Sequence, residues 1–282
     1  MSAQVHAPEQ EQIDHWLKVS REQIERQWRL HREGFDREND LPPQSLYTTL
    51  GGLHADLGRA MFLNGEPLEA VREEFRQAAR HVLKSFRMAY DPSDPDYVGD
   101  RPPPPGRDPG WGELSLADVS ENEFVEGAHW ALMGADLALA RELAEWYRER
   151  PDPAPDDEVG LGYARMLSAE LREVEKLARQ YARVQMEWCT SRELTELYET
   201  NLCTMSQALA GIVRRDAKTF NAGLAAQLED YRLHMEPETR NTDEEFICDA
   251  AVALANLGLF RGLEVTVSHP LLPPGLLVSG GG

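Results

Sequence analysis

The sequence predicts an all-α protein, an array of antiparallel helical hairpins resembling tetratricopeptide-like repeats and ending in an extended C-terminal tail. Apolar residues recur through most of the chain at the three- and four-residue spacing that gathers them on one face of a helix. Short breaks carrying an acid interrupt the stripes at Asn64-Gly65-Glu66, Gly134-Ala135-Asp136 and Arg214-Arg215-Asp216. The period changes to two only near the end, where Leu263, Val265 and Val267 alternate with Glu264, Thr266 and Ser268.

Taken in order, residues 1 to about 10 are polar, and Ile13, Trp16, Leu17, Ile24, Trp28 and Phe35 mark a first helix stopped by Asn39-Asp40-Leu41-Pro42-Pro43. Leu46, Leu50, Leu53, Leu57 and Met61 form the next stripe, and Leu68, Val71, Phe75, Ala78, Val82 and Phe86 answer it across Gly65. Residues 91–112 are too rich in proline for regular structure and read as a long loop. Ser120 and Glu123 form a capping box that opens the central hairpin, whose second helix has Asp136 as N-cap. Asp156, Asp157 and Glu158 suit the positive end of a long helix reaching about Trp188. Thr190 with Glu193, and Thr242 with Glu245, suggest capping boxes for two further helices, the last closed by Gly258 in a left-handed position. The acids at the three hairpin turns, 66, 136 and 216, lie 70 and 80 residues apart, so no strict repeat period holds. Residues 1–278 are expected to be one domain and 279–282 a flexible tail.

The chain has 282 residues, with 29 Lys and Arg against 49 Asp and Glu, a formal charge of −20. Such a surface repels phosphate backbones and anionic lipid heads and speeds encounter with basic partners, which argues against nucleic acid and membrane as ligands. No stretch approaches the roughly 18 uninterrupted apolar residues of a membrane span, and the N-terminus does not read as a leader. Cys189, Cys203 and Cys248 form no CxxC pair and read as small core residues of a reducing compartment, so the expected location is the cytoplasm.

No motif assigns catalysis, and no enzyme, metal or cofactor is expected. Glu126 and His129 have the Glu-x-x-His spacing of carboxylate-bridged metal bundles, but no second copy exists, and a polar pair beside the core is the plainer reading. His54 and His81 read as ordinary helix residues, Gly160-Leu161-Gly162 lacks the third glycine of a dinucleotide loop, and Ser279 is not on a nucleophile elbow. Asp94, Asp96, Asp100 and Asp108 are interrupted by prolines and do not follow a calcium-loop pattern.

The hairpin FVEGAHWALMGADLALARELAEWY, the hairpin ALAGIVRRDAKTFNAGLAAQLEDY, and the closing order of helix, ANLG, alternating VTV and HPLLPPGLL resemble the bacterial immunity protein 49 family of polymorphic toxin systems, over residues 50–277. The resemblance implies an all-helical cytoplasmic protein that binds and inactivates a toxin domain, and it carries over no functional residue. The acidic surface independently suits a basic toxin, with Asp94, Asp96, Asp100, Glu121, Glu123, Asp156, Asp157 and Glu158 as candidate contacts. The competing expectation is a helical-repeat adaptor that holds a peptide in its groove.

Overall fold

The computed structural model describes residues 8–34, 43–98, 119–148, 158–194, 196–235 and 241–279. Within them the protein is all-helical, with no strand. The α-helices are α1 (Gln10–Glu33), α2 (Pro43–Leu63), α3 (Leu68–Tyr90), α4 (Glu121–Met133), α5 (Leu137–Trp146), α6 (Glu158–Leu171), α7 (Glu175–Thr190), α8 (Leu197–Arg214), α9 (Ala217–Asp230) and α10 (Asp249–Phe260). A π-helical turn, Tyr231–Met235, and 3-10 turns at Asp243–Phe246 and Pro274–Leu276 complete them.

One backbone device reverses the chain again and again. One or two residues beyond the ends of α2, α4, α6, α8 and α10 the chain takes a left-handed φ: Gly65 (74°), Ala135 (56°), Glu173 (58°), Arg215 (56°) and Gly262 (78°). In each case the following amide reaches back five residues, as in Glu66 N to Met61 O (3.0 Å) and Val174 N to Ala169 O (2.9 Å). This satisfies carbonyls that the helix end leaves without partners. Asp136 and Asp216 then cap the outgoing helices, accepting from the amides of Leu139 and of Lys218 and Thr219. The capping box of Ser120 and Glu123 is present as expected.

Several expectations are corrected. The long helix up to Trp188 is two helices, α6 and α7, because the chain turns at Arg172-Glu173-Val174, where no glycine advertises the reversal. Thr190 caps nothing ahead of it; it ends α7 and its hydroxyl donates back to Met186 O (2.8 Å), while α8 starts at Leu197. Thr242 precedes only the short 3-10 turn, and α10 begins at Asp249. Gly258 lies inside α10 against the ring of Phe220, and Gly262 takes the left-handed position instead. Cys189 and Cys203 are joined in a disulfide between α7 and α8, and Cys248 alone is free and buried. Cysteine usage therefore no longer argues for a reducing compartment. No described helix is long and apolar enough to cross a membrane.

One buried cluster runs from Ile13 and Leu17 on α1 through Phe75, Phe124 and Phe220 to Leu276 in the tail. The helices of the α8–α9 pair approach so closely that a Cβ on Gly223 would lie 2.2 Å from Ala208 N. The tail packs across helix ends as expected. Asn221 on α9 holds it, donating to Glu264 O (2.9 Å) and accepting from Thr266 N (2.7 Å), and Leu271, Leu272 and Leu276 are buried. Asn256, wholly buried on α10, donates to Leu132 O (3.0 Å) and Leu276 O (3.2 Å) and accepts from Val278 N (2.8 Å).

Candidate functional site

Arg59 is the one Lys or Arg of α2, and its side chain is 3% exposed. Burying a guanidinium is costly unless every donor is met by an opposite charge. Its Nε donates to Asp243 (2.6 Å), Nη1 to Asp249 (2.6 Å), and Nη2 to Asp56 (2.5 Å) and, at longer range, Glu244 (3.4 Å). Asp56 is one helical turn away on the same face, whereas the other three arrive from the 3-10 turn and the first residue of α10. The cluster thereby fastens residues 243–249 to α2.

Beside it lies a cavity of about 220 Å³ between α2, α4, the π turn and α10, whose walls include Arg59, Glu126, His129, Trp130, Glu244 and Asp249. Asp249 Oδ2 also accepts from Trp130 Nε1 (3.3 Å), while Oδ1 is buried with no hydrogen-bond partner. Burial raises the pKa of Asp249 against the opposing pull of Arg59. Burial likewise pushes Asp56 up to about 7, with Arg59 again opposing. Glu126 stands exposed at the rim of the cavity and is pushed up to about 7, first by desolvation and then by Glu123, Asp249 and Glu244. Deeper in, desolvation lowers His129 to about 4, so it is neutral at pH 7, with its Nε2 2.8 Å from the hydroxyl of Tyr163. Tyr231 donates its hydroxyl to Glu244 O (2.8 Å) and holds that side of the cavity.

Five carboxyls, Asp56, Glu126, Asp243, Glu244 and Asp249, therefore crowd around a single guanidinium whose donor nitrogens are already engaged. The balance favours a second positive group, which would meet Asp249 Oδ1 inside and Glu126 at the rim, with the indole of Trp130 alongside as a surface that attracts cations. Among the described residues no group of three or more His, Cys, Asp or Glu could hold a metal ion. Of the Glu126 and His129 pair, both line the cavity, and the His129 ring is bonded to Tyr163.

Of the acids picked from the sequence, Glu123 alone reaches this region, where its charge helps raise Glu126 while its carboxylate accepts from Ser120 N (2.5 Å). Glu121 is buried. Asp94 and Asp96 are both held by Lys84, at 2.5 and 2.8 Å. Asp100, Asp156 and Asp157 lie outside the described residues, as does the side chain of Glu158, the first residue of α6. Sequence reasoning missed Arg59, Asp56, Asp243, Glu244 and Asp249. The available signal was a lone arginine in an otherwise apolar helix, with an acid one turn before it. The chain was compared with protein-family models, curated proteins and solved structures, and it matches none of them.

Proposed function

We propose that this protein is an immunity protein that neutralises a basic toxin domain by stoichiometric binding, and that the cavity beside Arg59 receives a lysine or arginine of that toxin. The observation that carries this reading is the excess of carboxyls over cations around the cavity. Elsewhere several arginines are spent on internal pairs, as in Arg76 with Glu69 and Glu73, Arg87 with Glu142, and Arg215 and Arg261 with Glu170. The charge of −20 is thus carried by acids left over for solvent or a partner, and it steers a basic surface toward the protein. Binding without catalysis, in the cytoplasm, belongs to the same proposal, as does the reading of the stacked helix pairs as a tetratricopeptide-like array. Asp94 and Asp96 serve such a contact only by exchanging Lys84 for a cation of the partner.

The adaptor reading has one observation in its favour: Val184, Leu197 and Tyr198 on α7 and α8 are large and exposed. Growth rescue separates the two. If the chain is an immunity protein, producing it should protect cells that make the toxin domain encoded beside its gene, the two proteins should co-purify one to one, and Glu126→Lys with Glu244→Lys should weaken the complex. Absence of both protection and complex with that neighbour overturns the immunity reading. An intact complex in the double variant removes the cavity from it.

A further inference from the structure

The disulfide between Cys189 and Cys203 lies where the α6–α7 pair meets the α8–α9 pair. In the interior, antiparallel α7 and α8 are joined by Gln185, whose Nε2 donates to Ser206 Oγ (3.1 Å). The bridge sits about one turn farther out on both helices, and there its two ends differ. Cys203 is 8% exposed and belongs to the core, whereas Cys189 is half-buried. Gln185 is the last buried residue of α7. From Met186 to Leu194 every side chain is half-buried or exposed, and Met186, Trp188, Cys189 and Leu194 touch the core at its edge. Thr190 and Ser191 bond back within this stretch, to Met186 O (2.8 Å) and Trp188 O (3.2 Å), and Arg192 covers the Trp188 ring at 4.0 Å. One covalent bond thus pins a surface turn to the interior.

We propose that this bridge is a reversible redox latch: oxidised, it holds residues 186–194 in order, and a dithiol that reduces it releases them while the rest of the fold stays intact. The chemistry is thiol–disulfide exchange. A thiolate of the dithiol attacks Cys189 Sγ, the sulfur of the less buried residue, and Cys203 leaves as a thiolate that takes up a proton. The second thiol of the reagent then attacks the mixed disulfide and expels Cys189. Two electrons and two protons pass to the bridge, and the dithiol becomes a disulfide. A closed loop restrains the open states of the chain it encloses, and a stretch with few buried apolar contacts is where local opening costs least. Opening does not spread, because α7 keeps Ala178, Ala182 and Gln185 in the core and α8 keeps Leu202, Met205 and Ala208 there. Cys248, buried and free, serves as an internal control. The latch shares no residue with the Arg59 cavity and does not rest on the immunity reading.

The test treats the native full chain with dithiothreitol, without denaturant, and reads the result by alkylation and by hydrogen exchange with mass spectrometry. Cys189 and Cys203 should become open to alkylation while Cys248 stays protected. Amide exchange over residues 186–194 should then rise at least about tenfold, and that of α9 and α10 should stay within about twofold. Exchanging the reductant for oxidised glutathione should restore the slow exchange. Cys189→Ser should show the fast exchange with or without reductant. A bridge that survives about 10 mM dithiothreitol in the native protein overturns the proposal, as does reduction that leaves exchange over 186–194 unchanged. Reduction that also exposes Cys248 overturns it, since the bridge would then hold the whole fold together.

Discussion

Replacing Arg59 by methionine should be among the most damaging single changes in this chain. The substitution keeps the length and much of the apolar stem, so the loss is electrostatic rather than one of volume. Asp56 and Glu244 have side chains 40% and 49% exposed, and water screens them, so each loses little. The cost concentrates in Asp243 and Asp249, whose side chains are 10% and 23% exposed and whose bonds to the guanidinium are both 2.6 Å. Removing one partner of a buried pair costs about 3–5 kcal/mol, because the remaining charge stays desolvated. At about 2–4 °C per kcal/mol for a chain of this size, the melting temperature should fall by roughly 6–20 °C. Two controls isolate the cause. Adding Asp243→Asn and Asp249→Asn to Arg59→Met should recover most of the loss, since neutral amides do not need the guanidinium. The penalty should also shrink as pH falls, because burial already raises the pKa of Asp249 and the guanidinium no longer opposes it. Calorimetric melting of the three variants at pH 7 and pH 5 reads both effects, and a loss under about 1 kcal/mol, or one insensitive to both controls, would refute the argument.

The pH profile of stability has a sign that can be worked out. Asp56 and Glu126, raised to about 7, add stability that is fully present below the ordinary carboxyl pKa of about 4 and is lost as pH rises through 7. His81 and His129, lowered to about 4, act oppositely, since stability falls as pH drops from about 6.5 toward 4. The two trends oppose each other below about pH 6.5, so urea midpoints should vary little there and decline between about pH 6.5 and 7.5, and Glu126→Gln should flatten that decline. At the α4–α5 turn, Ala135→Gly should stabilise by about 0.5–1 kcal/mol in urea melts, because glycine accepts the left-handed φ of 56° without steric cost and gives back part of the gain as unfolded-state entropy. Gly223→Ala should destabilise by about 1–3 kcal/mol in the same assay, since relieving a 2.2 Å contact with Ala208 N must move backbone and outweighs the gain in helix propensity. Alkylating the denatured, unreduced protein should label Cys248 alone, and full labelling of all three cysteines by mass spectrometry would contradict the bridge between Cys189 and Cys203.

What the sequence disclosed depended on how local the cause was. Apolar stripes, the Ser120 capping box and the Asp136 cap involve residues within one or two turns, and they appear where expected. The reversal at Glu173 escaped notice because a charged residue there takes a backbone angle usually left to glycine. It is held by hydrogen bonds that any sequence can make. The Arg59 cavity escaped for a different reason: its acids at 243 and 249 are 184 and 190 residues away in sequence. Nothing local distinguishes them from the many acids on the surface.

The amide of Asn256 has no apolar substitute, because every atom that can bond in it is committed to α4 or to the tail. Until residues 276–278 arrive, that side chain sits in the middle of the molecule with most of its bonding capacity unspent. The helices made earlier during synthesis therefore cannot lock into final register on their own. A stretch that follows all of these helices acts as the bolt, so a nascent or trimmed chain stopping short of it should be loose at its centre rather than at its edge.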